Sequence, residues 1–467
     1  MKNVIKCVAF TIILISVIGL TFKVLNLKDT SGGNDKNYSA YDELYRSPRN
    51  SIDVVFVGSS HCYNSIYPAV IWHEHGIASF DMAVSRQSRN ESVGALREVL
   101  KAQKPRVVAV EMYGLMDGEE EEGNLYRNFV NMRRSVNMIK TLNGESQGSD
   151  AFKNIFFKWP IVHTRYRELG RYDFYGSPAA SVGRGEDMRM GETGGDINYG
   201  NINSTESEPI SEENKAWIDE LYALSKSEGF ELMFFLSPYF VFDNERLIIN
   251  GAKEYAAGLG IPFVDYNTTE VLDEIKIDPA TDMMNDFHHI NMYGATKASL
   301  YMGKYLSEHY DIPDRRGNGK YSAWDGDYKR FVHLLEAQKL GEKAFDGEYI
   351  EYVAGLSGGY TVLLSLDGEY EDEIGYMELF GISESECADG GKWIVKDGTA
   401  EKIMSNTPGE SHIVPLSRFD ELKVRFTDDP FMNVYFNLYP CVMTGDGLNI
   451  LVYDSYLEEL VSVRGIY

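Results

Sequence analysis

The hydrophobic positions of the chain fall into three regimes. Residues Cys7 to Phe22 form one apolar run, interrupted only by Thr11, Ser16, Gly19 and Thr21 and flanked by Lys2, Lys6 and Lys23. From Asp53 to Tyr310, short β-branched and aromatic runs alternate with amphipathic stretches of helical period. Beyond Glu348, strand-like runs dominate, among them Tyr360-Thr361-Val362-Leu363-Leu364-Ser365 and the stretches starting at Glu421, Asn433 and Asn449.

The middle regime predicts strands over Asp53–Val57, Ile77–Met82, Arg106–Met112, Phe230–Leu236 and Ile261–Asp265. Such near-continuous apolar runs suit parallel strands buried on both faces. Between them, Pro68–His75 reads as a helix with proline in its first turn and Gly76 as its stop. Asn90–Gln103 places Val93, Leu96, Val99 and Leu100 on one face, and Glu212–Ser227 and Arg246–Leu259 continue the alternation. The pattern predicts an α/β domain built on a doubly wound parallel sheet with helices on both faces. Its working residues belong on the loops at the carboxyl ends of the strands.

The remaining segments punctuate this scheme. The apolar run is short for a membrane span, although Val24, Leu25 and Leu27 extend it. It reads as a signal peptide or an uncleaved anchor, and the lack of an A-x-A-like site after it favours an anchor over 1–27. A polar stalk over 28–48 follows, then the α/β domain over 49–312. An insertion at 144–210 is first aromatic, with Phe156, Trp159, Tyr166 and Phe174, and then rich in Gly, Ser and Asn. It is either a substrate wall or a local aromatic core with a loop. A linker and connecting helix over 313–346, with the helix at Tyr328–Leu340, lead to a strand-rich α+β module over 347–467.

Composition narrows the function classes. Forty-five basic against 71 acidic residues give a formal net charge of −26, which repels phosphate backbones and sets nucleic acid aside as a partner. The four cysteines, Cys7, Cys62, Cys387 and Cys441, make no CxxC pair and indicate no zinc site. Export of the chain would permit one bridge between Cys387 and Cys441.

The candidate chemistry lies at the two ends of the α/β pattern. Gly58-Ser59-Ser60-His61 follows the first predicted strand, where backbone N–H groups are free to face an oxyanion. A serine hydroxyl is a weak nucleophile without a base and a group to orient that base. Asp286-Phe287-His288-His289-Ile290-Asn291 stands before the last amphipathic helix, with a carboxylate three residues from an imidazole on one tight turn. Asn291 is placed to cap that helix.

A serine block first and an Asp-x-x-His block last, over Ile52 to Tyr310, resembles the SGNH/GDSL hydrolase superfamily. The resemblance implies a flavodoxin-like three-layer sandwich with Ser60 as nucleophile, His289 as general base and Asp286 as its orienting partner. It also implies the backbone N–H groups of Ser60 and Arg86 as oxyanion donors, with no metal and no cofactor. Asp81-Met82-Ala83-Val84-Ser85-Arg86 departs from the family's second block by placing arginine where glycine is usual, which puts the backbone geometry there in question. Glu111-Met112-Tyr113-Gly114 replaces the third block, leaving Tyr113 as the substitute donor. Ser59, His61 and His163 are further pocket candidates, and His288 competes with His289 as base.

The His289-x-Asn291-x-x-Gly294 run, the anchor and the stretch Trp159 to Tyr166 look most like membrane-tethered bacterial members linked to O-acylation of surface polysaccharide, a group similar to D-alanine transfer proteins. That likeness implies an extracytoplasmic enzyme, a cell-surface glycan as partner and an integral-membrane protein as acyl donor. The alternatives are a carbohydrate O-acetyl esterase and a non-catalytic glycan-binding scaffold. Tyr360 to Ser365 and Gly390-Gly391-Lys392-Trp393-Ile394-Val395 resemble an accessory domain found behind such SGNH domains.

Overall fold

The structure is a computed structural model, and it describes residues 2–26, 39–116, 128–129, 131–145, 149–175, 183–184, 202–286, 288–356, 358–368, 373–427, 433–441 and 446–465. Residue 27 of the expected anchor, 28–38 of the expected stalk, and 146–148, 176–182 and 185–201 of the expected insertion lie outside that set. The chain forms two compact units, Met1–Tyr328 and Lys329–Tyr467. The boundary falls within the helix Ser322–Glu342, which extends beyond the expected Tyr328–Leu340 at both ends.

The first unit is organised by five strands: β1 (Val54–Val57), β2 (Ser79–Asp81), β3 (Val107–Glu111), β4 (Glu231–Leu236) and β5 (Phe263–Asp265). They pair in the order β2-β1-β3-β4-β5, and every pairing is parallel. Alternate residues such as Val55, Val57, Val108, Val110 and Phe234 join one core with Val93, Leu96, Trp217 and Leu221. The residues between them, including Val54, Phe56, Ala109 and Phe235, are equally buried on the opposite face. Burial of both faces explains why the strands read as continuous apolar runs rather than alternating ones. β2 is shorter than the expected Ile77–Met82, because only Ser79 to Asp81 pair with β1.

The helices are delimited by the signals their sequences carry. Pro68–His75 starts on proline and ends at Gly76 with φ +66°. Arg89–Leu100 opens with a reciprocal capping box between Ser88 and Glu91. Met292–His309 is capped by Asn291, whose side chain accepts from the N–H groups of Tyr293 and Gly294.

Parallel pairing puts every strand's carboxyl end on one edge of the sheet. β2 and β3 lie on opposite sides of β1, so the chain reverses its winding there and a crevice opens between the loops after β1 and β3. Gly58 lets those loops approach. A Cβ at that position would stand 2.5 Å from Glu111 Cβ and 3.0 Å from Cys62 Cβ.

The second unit carries two antiparallel sheets. One has the order β14-β13-β6-β7-β8, from β6 (Tyr360–Asp367), β7 (Gly391–Lys396), β8 (Thr399–Met404), β13 (Gly447–Asp454) and β14 (Glu459–Gly465). The other has the order β12-β11-β10-β9, from β9 (Ser411–Pro415), β10 (Glu421–Arg425), β11 (Val434–Phe436) and β12 (Tyr439–Pro440). Lys392, wholly buried, is paired with Asp367. The bridge considered between Cys387 and Cys441 is not formed. Both thiols are free and buried, and they belong to separate hydrophobic clusters.

The close approach at Gly58 sets a stability prediction. Gly58→Ala should destabilise the chain by about 1–3 kcal/mol, the usual cost of forcing a methyl group into a filled site. The readout is a lower urea midpoint at unchanged slope. An unaltered midpoint would mean that the β1–β3 edge has room to spare.

Candidate active site

Ser59 and Ser60 divide their work by geometry. Ser59 is the N-cap of the four-residue helix Ser60–Tyr63, and its hydroxyl oxygen accepts from the His61 N–H at 3.3 Å. The same hydroxyl donates to Glu111 Oε2 at 3.1 Å, while Glu111 Oε1 accepts from the Tyr113 N–H at 2.9 Å. Ser59 therefore ties the loop after β1 to the end of β3. Ser60 is partly exposed, and its hydroxyl lies 2.8 Å from His289 Nε2. As the first residue of its helix, its N–H has no intrahelical acceptor.

The imidazole is delivered by a loop closed on itself. Met283 and Ile290 form an isolated antiparallel bridge, the Met284 N–H donates to the His289 carbonyl at 2.8 Å, and the Asn291 N–H donates to the Asp282 carbonyl at 2.8 Å. Asp282 anchors the base of the loop by accepting from the Asp278 N–H at 2.7 Å and from Lys297 Nζ at 2.5 Å. Inside the loop, Asp286 Oδ1 accepts from the N–H groups of His288 and His289, each at 3.0 Å. Asp286 Oδ2 stands 2.7 Å from His289 Nδ1. Phe287 lies outside the described residues.

These contacts fix protonation states. Burial by itself would raise the Asp286 carboxyl. The His289 hydrogen bond and charge, with the two backbone donors, outweigh it and hold the group well below the usual carboxylate range. An ionised Asp286 requires the proton on Nδ1 of His289, which leaves Nε2 to accept the Ser60 hydroxyl proton. Ser60, His289 and Asp286 thus form a continuous hydrogen-bonded relay.

The other candidates take distinct places. His288 turns its ring toward Phe242 and His61, at 6.2 and 6.4 Å between centroids, and it is His289 that meets the serine. His61 is buried and stacks on Tyr113 at 3.9 Å and on His289 at 4.8 Å. Tyr239 closes the same cluster, edge-on to His61 at 5.0 Å. His163 hydrogen-bonds within its own segment, to the carbonyls of Trp159 and Pro160.

Arg86 sits in a tight turn. The Gln87 N–H donates to the Val84 carbonyl at 3.1 Å, closing a tight turn in which Arg86 takes φ +48°. This is the position and sign that favour glycine, so the arginine carries about 1–2 kcal/mol of strain. Arg86 thus adopts a left-handed backbone in spite of its side chain. The Val84 N–H donates to the Gly58 carbonyl at 3.1 Å, which holds this turn alongside the Gly58–Ser60 loop.

Sequence reasoning missed a buried carboxyl group beneath the serine. Asp81 accepts from the Ala83 N–H at 2.7 Å and from the Cys62 thiol at 3.4 Å. Burial first, and the Glu111 charge in addition, push its carboxyl up to about 8 against the lowering effect of those hydrogen bonds. Burial, then Asp81 and Glu111, also push the Cys62 thiol well above its ordinary range, which keeps it a protonated, unreactive thiol. The available signal was a carboxylate closing an apolar strand, in Ser79-Phe80-Asp81 and again in Val107 to Glu111.

No protein-family profile matches the chain, and no curated protein does. Among solved structures the chain is similar to a Bacteroides fragilis protein provisionally called an acylhydrolase, at 13% identity and TM-score 0.30, over 59% of this chain and 97% of that one. It is also similar to an acetyl xylan esterase from the rumen bacterium Butyrivibrio proteoclasticus, at 13% identity and TM-score 0.24, over 56% of this chain and 65% of that one. Likeness at this level leaves the functional argument to the geometry of the chain itself.

Asp81 makes stability fall with pH. Its folded-state value lies above the ordinary 3.8, so between pH 4 and about 8 the folded chain holds a proton that the unfolded chain has released. Unfolding is favoured increasingly across that window and levels off above it. Asp81→Asn, which keeps an acceptor for the Ala83 N–H, should flatten this slope in urea unfolding measured from pH 5 to 8. An unchanged slope would show that Asp81 stays ionised throughout.

Proposed function

We propose that the chain is a serine-dependent acyl-transfer enzyme of the SGNH/GDSL type that works beside a membrane on O-acyl groups of cell-surface glycans. The observation that carries this reading is the Ser60–His289–Asp286 relay, with contacts of 2.8 and 2.7 Å. His289 takes the Ser60 proton as the hydroxyl oxygen attacks the acyl carbonyl, and Asp286 stabilises the imidazolium that forms. The Ser60 and Arg86 N–H groups face the developing oxyanion, and Tyr113 serves as pocket wall. Collapse of the tetrahedral intermediate expels the first alcohol, which leaves with the proton from His289, and gives a Ser60 ester. A sugar hydroxyl then repeats the sequence in reverse.

Two features support a glycan acceptor beside a membrane. The partly exposed Tyr113, which stacks on His61, and the exposed Phe242, which lies near His288, provide aromatic surface close to the relay. The helix α1 (Lys2–Leu25) is long and apolar enough to cross a membrane or to be a signal sequence. Its end is docked rather than loose: Leu25 is buried, and Arg165 Nη1 donates to the Leu25 carbonyl at 3.0 Å and to the Asn26 carbonyl at 2.5 Å. Arg165 is itself paired with Asp173 at 2.8 Å. Such specific capping supports a retained anchor, with the acyl donor supplied by an integral-membrane protein.

Hydrolysis is the second reading, and one observation favours it. The Asp286 side chain is 38% exposed, so water reaches the edge of the relay. A chromogenic acetyl ester separates the two. Transfer predicts slow turnover that rises at least tenfold on adding a polysaccharide acceptor, with acetyl groups recovered on the sugar. Fast turnover without acceptor would assign the chain to the esterases. In either case Ser60→Ala should abolish turnover, and Asp286→Asn should lower kcat by about 10⁴-fold because the imidazole loses its tautomer. Retention of activity in Ser60→Ala would refute the seryl-ester mechanism.

A further inference from the structure

A cavity of about 680 Å³ lies beside the carboxyl end of α1, away from the relay residues and built from parts of the chain distant in sequence. Its size is that of a small-molecule site. The walls are of two kinds. Phe22 and Phe157 contribute apolar surface, and Lys23, Arg46, Arg134 and Lys158 contribute cationic groups. Asp42 is the one carboxylate among these lining residues. Four cations against one anion is a local reversal in a chain whose net charge is −26.

Among the described residues, three of the lining cations donate to neutral acceptors, and Asp42 is the carboxylate whose charge acts on Lys158. Arg46 donates to the Asp42 backbone carbonyl and Arg134 to the Phe156 carbonyl. Lys158 Nζ donates to the side-chain oxygens of Asn26 and Asn131, each at 3.3 Å. All of these acceptors are neutral. Burial first, and then the Arg134 charge, lower the Lys158 ammonium to about 8. Lys158 also holds φ +57°, an uncommon backbone for a residue with a side chain, of the kind that persists where the surroundings impose it.

The depth of the cavity follows from α1. Its 24 residues span about 36 Å at 1.5 Å each, against a hydrocarbon core of about 30 Å, which sets the last turn at headgroup level. Exposed aromatic rings surround that end. Trp159 meets Phe22 edge-on at 5.6 Å, and the helix Arg171–Tyr175, with Phe174 and Tyr175 exposed, lies against α1. Amphipathic aromatic rings concentrate at this depth in membrane proteins.

We infer that this cavity binds the phosphodiester headgroup of an anionic membrane lipid, with Arg134 and Lys158 holding the phosphate and Phe22 and Phe157 flanking the first carbons of the acyl chains. The inference rests on α1 being a retained anchor. A water-soluble phosphate would satisfy the cations but leave Phe22 and Phe157 uncovered, whereas a lipid satisfies both.

The test uses the full chain. Entry into phosphatidylcholine nanodiscs reports the anchor alone, and failure to enter overturns the anchor and this inference together. The cavity is then probed in neutral-detergent micelles by native mass spectrometry with dioctanoyl phosphatidylglycerol, dioctanoyl phosphatidylcholine and glycerol 3-phosphate. Phosphatidylglycerol should bind at least tenfold tighter than either competitor, and Arg134→Gln with Lys158→Gln should erase that preference. Equal binding of the two lipids, glycerol 3-phosphate binding as tightly as phosphatidylglycerol, or a preference untouched by the double variant would each refute the inference. A photoactivatable phosphatidylglycerol gives a readout that needs no variant. Adducts should map to Phe22, Lys23, Phe157 or Lys158, and adducts confined to other segments would refute it.

Discussion

The hydrogen bond between the Ser60 hydroxyl and the His289 imidazole joins residues 229 positions apart, and the arrangement of the first unit converges on it. Neither partner can reach the other through local structure. A parallel sheet supplies the meeting place, because it gathers the loop after β1 and the segments beyond β5 at one edge. The loop bearing His289 is then made stiff by its own contacts. The Met283–Ile290 bridge closes it, Asp282 and Lys297 brace its base, and Asp286 holds both the backbone and the ring. Stiffness matters here because a relay acts only when its atoms are held within a fraction of an ångström of productive geometry.

The other side of the bond is held by polar groups that a stability optimum would avoid. Ser59 is bound to the buried Glu111, and Asp81 is buried against Cys62, two residues from Ser60. Burying carboxyl groups is costly, and Asp81 meets part of that cost by keeping its proton. What the molecule gains is a crosslinked edge. The loops after β1, β2 and β3 are tied to one another through the Val84–Gly58 and Ser59–Glu111 hydrogen bonds, so Ser60 and the Arg86 turn are placed by one connected framework.

Much of this was legible in the sequence, and the limits have physical causes. The five strands were readable because burial on both faces makes each a short, uninterrupted apolar run. The helix ends were readable from Pro68, Gly76 and Asn291, whose backbone preferences are local. Ser60, Asp286 and His289 stood out because their residue types and spacing pointed to one chemistry. The polar framework beneath them did not, since the bond from Ser59 to Glu111 spans 52 positions and depends on sheet order, which no single strand encodes. The left-handed backbone of Arg86 was hidden for the opposite reason. Its side chain argued against a conformation that the surrounding turn imposes.

Location and chemistry are linked through α1. Its docked end, the exposed aromatic rings and the basic cavity lie in the same unit as the relay, so retention of the helix would confine catalysis to the membrane surface. The proposed chemistry nevertheless depends on a single hydroxyl, that of Ser60. It is tested most directly by treating the folded chain with a fluorophosphonate and locating the adduct by peptide mass spectrometry. The account predicts one stoichiometric adduct, on Ser60, that disappears on unfolding before treatment. An unmodified Ser60, or an adduct on Ser59 in its place, would contradict it.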